Sequence, residues 1–213
     1  MFIYTSHNGG ERARKMRDRG MGVMLHSCTS KMPSKNASGF RCALDNGAFG
    51  CWQRGYPFQS DVFITAIKKA YSAGISLDFI VCPDIVAGGV KSLNFSMKWA
   101  LEELESAPRL ALVVQDGMTP RDLSPGYHLK PFTHIFIGGT PEWKWRTAKD
   151  WVDYAHNQKK LCHIGQVGTL EKLRAAKRMG ADSVDSTNFA RNDSWAVIDE
   201  FMDGKQHELD IED

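Results

Sequence analysis

No apolar run in this sequence approaches the length needed to cross a membrane, and cysteine is scarce. There are five, Cys28, Cys42, Cys51, Cys82 and Cys162, an odd number with no C-x-x-C spacing, so a cysteine-rich zinc site is not signalled. The start, Met1-Phe2-Ile3-Tyr4, is too short for the apolar core of a secretory leader. A reducing cytoplasm is the expected compartment. An excess of one charge is also missing: 27 Lys and Arg against 25 Asp and Glu leave a net +2. A strongly basic chain would point to nucleic acid outright; this balance is neutral on that question. Repeats and low-complexity tracts are absent. With 42% hydrophobic residues, six Trp and eleven Phe, disorder is excluded over most of the length. The 213 residues suit a single domain spanning 1–213.

What charge there is has a pattern. Arg12, Arg14, Lys15, Arg17 and Arg19 form a basic cluster, and Glu208 to Asp213 an acidic tail. Such runs usually read as solvated faces, although a basic one also suits phosphates.

Short, nearly continuous apolar runs recur along the chain. They predict eight strands: Phe2–Thr5, Gly22–Leu25, Arg41–Leu44, Phe79–Cys82, Leu110–Val114, His134–Ile137, Leu161–Ile164 and Ser183–Asp185. Runs without alternation imply burial on both faces, as in parallel sheets. Helical patterns fall between several of them: Ser60–Ala73 with Ser60 or Asp61 as N-cap, Ser92–Glu105, Thr147–Asn157, Thr169–Met179, and Asp193–Met202 with Asp193 as N-cap. This alternation predicts an α/β fold, a compact (β/α)8 TIM-like barrel. Some crossover helices are missing: 26–39 has no helical pattern, and the link after Gln115 holds little more than a turn. The segment Ser27–Gly39 reads as a mobile loop.

Polar and glycine clusters follow the strands: Asp45-Asn46-Gly47, Pro83-Asp84, Gln115-Asp116-Gly117, Gly138-Gly139-Thr140, Gly165-Gln166 and Asp185-Ser186-Thr187-Asn188. In a parallel barrel all C-terminal strand ends share one mouth, where barrel enzymes place their chemistry. Taken singly, each acid also reads as a turn former or helix cap. As a set, Asp45, Asp84, Gln115, Asp116 and Asp185 converge on that mouth. Paired carboxylates suit reactions at a sugar carbon: one attacks C1′, the other shuttles the proton. Glycines at 138 and 139 let a flat ring approach the backbone. Asp84 and the Gln115 amide offer groups that read a purine edge. Arg121, Lys130, Lys144, Arg146 and Arg191 are read as mouth-side loop cations for phosphates. Trp52, Trp143 and Trp145 are candidates for stacking on bases or for packing.

At these residues the chain resembles the tRNA-guanine transglycosylase superfamily, and within it the short viral 7-deazaguanine DNA transglycosylases (DpdA-like). The resemblance rests on Asp45-Asn46-Gly47-Ala48-Phe49, Val114-Gln115-Asp116-Gly117, Ile137-Gly138-Gly139-Thr140 and Asp185-Ser186-Thr187-Asn188-Phe189-Ala190-Arg191, in that order. It implies Asp185 as nucleophile and Asp45 as general acid/base. It implies Asp84, Gln115, Gly138, Gly139 and Phe49 around the base, and Arg191, Lys144, Arg146 and Arg121 on nucleic acid. The implied partners are DNA and a free 7-deazaguanine base (preQ0 or preQ1 type), with tRNA as the alternative and no membrane. The implied setting is viral DNA modified against host restriction, in the host cytoplasm. The tRNA enzymes carry a three-cysteine, one-histidine zinc subdomain near the last strand. Here Arg191 runs directly into the helix beginning near Asp193, so no zinc, no other cofactor and no zinc subdomain are expected. Two other classes fit parts of the pattern: a metal-dependent barrel hydrolase using His163, Asp84 and His134, and a non-catalytic DNA-binding subunit.

Overall fold

The computed structural model describes residues 1–6, 9–27, 37 and 39–209, with residues 205–209 as backbone only. Cys28, most of the segment read as a mobile loop, and residues 210–213 of the acidic tail lie outside the described residues.

Eight strands form one closed, all-parallel barrel in the order β1 to β8. They are β1 (Phe2–Ser6), β2 (Gly22–His26), β3 (Cys42–Asp45), β4 (Leu77–Val81), β5 (Leu110–Val114), β6 (Phe132–Ile137), β7 (Leu161–Ile164) and β8 (Ser183–Asp185). The ring closes where Phe2, Ile3 and Tyr4 pair with Ser183, Val184 and Asp185. This is the TIM-like α/β barrel expected from the sequence. The predicted strand bounds hold to within about two residues.

The helices are α1 (Glu11–Asp18), α2 (Ala48–Gln53), α3 (Ser60–Ser72), α4 (Val90–Lys98), α5 (Pro125–His128), α6 (Pro141–Asn157), α7 (Leu170–Met179), α8 (Asn188–Arg191) and α9 (Trp195–Leu209). Five π-helical residues, Trp99–Glu103, extend α4. Between β5 and β6 only a 3-10 turn (Pro120–Asp122) and the one-turn α5 intervene, so this crossover is as thin as expected.

The basic cluster lies along the outer side of helix α1, with Arg12, Arg14 and Arg17 exposed, Arg19 at the C-cap, and Ala13 and Met16 buried beneath. Two N-cap expectations are corrected. Ser60 and Asp61 lie inside α3, and Gln59 at its N-cap makes no side-chain capping bond. Asp193 has φ 54 and does not cap α9; its carboxylate accepts from Lys15 and from the Trp195 indole N–H.

Alternation along each strand separates two cores. On β5, Leu110, Leu112 and Val114 face the helices, while Ala111 and Val113 face the barrel axis. The inner cluster holds Tyr4, Met24, Ala43, Phe79, Val81, Ala111 and Val113, with Phe2 and Phe136 against it. Tyr4 donates its hydroxyl to Asp78 Oδ2 at 2.6 Å. Arg41 Nε donates to the same oxygen at 2.9 Å, and its guanidinium lies 4.1 Å over the Phe2 ring. This group fills the barrel at its N-terminal end.

Gly22 makes that filling possible. A Cβ there would lie 2.6 Å from Phe2 Cε1 and 2.8 Å from both Tyr4 Cδ1 and the Arg41 carbonyl oxygen. Gly22→Ala is therefore expected to destabilise the fold by about 1–3 kcal/mol, as overpacked cores do. Urea unfolding checks this; an unchanged midpoint would mean that the rings move aside without cost.

Candidate active site

The strand alternation that buries the inner cluster also sets the ring above it. One step beyond Met24, Ala43, Val113 and Phe136 come His26, Asp45, Gln115 and Gly138. On β7 and its exit the same face carries His163 and then Gly165, and on β8 Ser183 and then Asp185. Two of these positions have no side chain. A Cβ on Gly165 would lie 2.8 Å from the Phe136 ring and 3.4 Å from Asp185 Oδ1. A Cβ on Gly138 would lie 2.9 Å from Val113 Cγ1 and 3.1 Å from Gln115 Nε2. The two glycines thus let the Phe136 ring and the Val113 and Gln115 side chains pack closely against the exits of β6 and β7.

Asp185 is buried at the end of β8, 9% exposed. Its Oδ1 meets His163 Nε2 at 3.0 Å and accepts the Gln166 backbone N–H at 3.2 Å. Oδ2 has no hydrogen-bond partner among the described residues. Burial alone would raise this carboxyl. The His163 hydrogen bond and charge, the Gln166 N–H and the Lys144 ammonium outweigh it and hold the group below the usual carboxylate range.

Asp45 is about a third exposed and lies 3.2 Å from His26 Nδ1. Burial would lower the His26 imidazole, but the Asp45 hydrogen bond and charge, with the charge of Asp185, raise it above its ordinary value. Asp84 is 7% exposed, and burial pushes it up to about 6. The Asn46 and Gln115 bonds oppose that rise, and the charge of Asp45 adds to it. Asp185 acts on His26 and Asp45 acts on Asp84, so the three acids share one electrostatic environment.

Asp84 and Gln115 come together directly. Gln115 Nε2 donates to Asp84 Oδ2 at 2.5 Å, and Gln115 Oε1 accepts from the Ala87 N–H at 3.3 Å. Asn46 is the buckle beside them. Its Nδ2 donates to Asp84 Oδ1 (2.7 Å) and to the Cys82 carbonyl (2.8 Å), while its Oδ1 accepts the Ala48 N–H at the start of α2.

Other expected residues sit differently. Asp116 faces Thr140, accepting its backbone N–H at 2.9 Å and its hydroxyl, and so braces the start of α6. Gly139 has φ 76, and a Cβ there would meet Asp116 Oδ2 and the Trp143 ring, so it serves this turn rather than lining the mouth. Lys144 is not on a surface loop. It lies on α6, 3% exposed, with Nζ donating to the Gly165 carbonyl at 2.7 Å; burial lowers it to about 8, against the pull of Asp185. Arg146 is also on α6, exposed and 4.0 Å from Glu142. Arg121 and Arg191 are exposed on the β5 and β8 exits. Lys130 precedes β6 and so belongs to the opposite end of the barrel. Phe49 is 40% exposed on α2, its ring 5.8 Å from that of the exposed Trp52. Trp143 is buried and Trp145 packs on the core.

His26 is a site residue the sequence reading does not name, while Asn46, Gly165 and Gln166 appear there only as members of strand-end clusters and His163 only as a metal-ligand candidate. The signal for the two histidines is the period of two: His163 lies on the inward face of a predicted strand, and His26 one residue past the predicted end of another. His134, His163 and Asp84 are not brought to one point. His134 binds the Thr133 hydroxyl and lies against Phe79. Among the described residues no group of three or more His, Cys, Asp or Glu is disposed to hold a metal ion, and no helix is long and apolar enough to cross a membrane. No family model and no curated protein matches the chain, so function rests on the chemistry of the site itself.

Asp84 and Asp185 pull stability in opposite directions with pH. The folded state keeps the Asp84 proton to about pH 6, whereas an unfolded carboxyl loses it near about pH 4. The fold thus binds more protons in that window, and stability falls as pH rises through it. Asp185 is depressed, so its contribution is full above the ordinary carboxylate range and is lost in acid. Carboxyl carbon-13 titration should give Asp84 a midpoint near 6, and a midpoint near about 4 would contradict its burial. Asp84→Asn should flatten the stability loss across this window.

Proposed function

We propose that this chain is a base-exchange transglycosylase that replaces guanine in DNA with a 7-deazaguanine through a covalent Asp185 intermediate. One observation carries the reading: a buried carboxylate held ionised, with one oxygen tied and the other without a hydrogen-bond partner among the described residues, shares its mouth with a second acid, Asp45, about a third exposed. That pairing suits displacement at a sugar carbon, with one carboxylate bonding C1′ and the other carrying the proton.

A guanine turned out of the stack enters the mouth, because C1′ chemistry is hard to reach inside a duplex. Asp185 displaces it, and Asp45, beside His26, protonates the departing base. The replacement then enters, loses a proton to Asp45 and displaces Asp185. One glycosidic bond replaces another, so no energy source is needed. Asp84 and Gln115 are suited to the base edge, and Gly138, which has no side chain, to its flat face. Arg121 and Arg191, exposed at strand exits, suit phosphates; Phe49 and Trp52 suit a neighbouring base. Arg146 remains a rim cation, while Lys144 serves Asp185 from inside.

The test is incubation with labelled 7-cyano-7-deazaguanine and guanine-containing duplex DNA, single-stranded DNA or tRNA, followed by digestion to nucleosides. Label is expected in DNA. Asp185→Ala should abolish it, and Asp45→Ala should slow it by about 10²–10⁴, the usual share of general acid–base catalysis. Label in tRNA alone would move the substrate to RNA. Full activity in Asp185→Ala would remove the proposed nucleophile.

A further inference from the structure

Asp185 Oδ1 is held from two sides, while Oδ2 has no hydrogen-bond partner among the described residues. The His163 imidazole on one side is wholly buried, stacked on Phe136 with centroids 4.6 Å apart, and its Nδ1 lies 2.8 Å from Ser183 Oγ. An ionised carboxylate only accepts, so Nε2 carries the proton of the His163–Asp185 bond. On the other side, Gln166 presents its N–H from a left-handed backbone, φ 61, a conformation that residues with side chains disfavour. A strained backbone at one donor and a fully packed ring at the other mark a preorganised pair.

We propose that His163 and the Gln166 N–H form a two-donor cradle that assigns Oδ2 to C1′ and speeds the departure of Asp185 in the second half of the exchange. This rests on the transglycosylase reading above. In the first half, Oδ2 gives an electron pair to C1′ as the bond from C1′ to the guanine nitrogen breaks. That nitrogen keeps the bonding pair and takes a proton from Asp45. Asp185 loses its charge into the ester, and Oδ1 becomes the ester carbonyl. In the second half, the incoming base gives its proton to Asp45 and its nitrogen bonds C1′. The bond from C1′ to Oδ2 breaks, and its electron pair returns to the carboxylate.

Negative charge therefore leaves the carboxylate in the first half and grows on it in the second. Donors already aimed at Oδ1 favour the charged form. They make Asp185 a weaker nucleophile and a better leaving group, so the covalent adduct drains as soon as a base arrives. His163 acts through Asp185 and is a positioning residue.

Rapid-quench denaturing gels, following adduct and exchanged DNA in one time course with guanine-containing DNA and 7-cyano-7-deazaguanine, test this. In His163→Leu, adduct breakdown should slow by about tenfold to a hundredfold, the loss expected for one charge-assisted hydrogen bond. Adduct formation should hold or quicken, DNA affinity should hold, and the adduct should become the main species. His163→Gln, whose amide N–H reaches a similar point, should restore the partition. Ser183→Ala keeps the imidazole and loosens only its Nδ1 side; it should shift the partition the same way by a smaller factor, and it carries the test should the leucine variant not fold. Equal slowing of both halves, or no rescue by glutamine, would overturn the cradle while leaving the exchange reaction standing. Neither adduct nor exchanged DNA with the wild-type protein would overturn the exchange reaction and the cradle together.

Discussion

Three residues of the first strand pair with three of the last, and that seam seats the whole mouth. Tyr4 lies in register with Asp185, and beyond it the Ser186 N–H donates to the Tyr4 carbonyl while Thr5 Oγ1 donates to the Ser186 carbonyl. A parallel sheet that closes on itself has no free edge, and every strand exits on the same side. Acids from positions 45, 84 and 185 can then meet without any local sequence relation. The same closure fixes side-chain parity. A slip by one residue at the seam would turn Asp185 outward and bring Val184 into the mouth.

Crowding acids costs stability, and the site offsets that cost differently for each. Asp45 remains partly in water beside His26. Asp84 is buried between two amides and gives up part of its charge near neutral pH. Asp185 keeps its charge because a histidine, a backbone N–H and a buried ammonium surround it. Asp84 and Asp185, two carboxyls of one residue type, thus acquire opposite protonation habits from their surroundings, which is how one site comes to hold both proton-carrying and charge-carrying groups.

The strands were legible because apolar runs buried on both faces leave a strong mark, as in Leu110–Val114. The candidate acids were legible because each follows such a run. Helix α1 was not: only Ala13 and Met16 anchor it, one turn of periodicity within a run of charges. Helix α2 was hidden because Asp45-Asn46-Gly47 reads as a turn, and the turn leads straight into it. Lys144 was misplaced for a related reason. Thr140-Pro141 begins α6 six residues before the apolar pattern appears, so a helical lysine that turns inward reads as a loop cation. His163 requires knowing which face of β7 is the inner one, and what stands opposite it on β8.

The filled N-terminal end of the barrel has a bearing on traffic. Phe2, Tyr4, Asp78 and Arg41 close that end around Gly22, and Phe79 and Phe136 continue the filling upward. The mouth is therefore a room with one door. Under the proposed exchange, the outgoing purine and its replacement must pass the same threshold in turn, so the released base is the first competitor its successor meets. The order of events then follows from the plugged floor as much as from the acids above it.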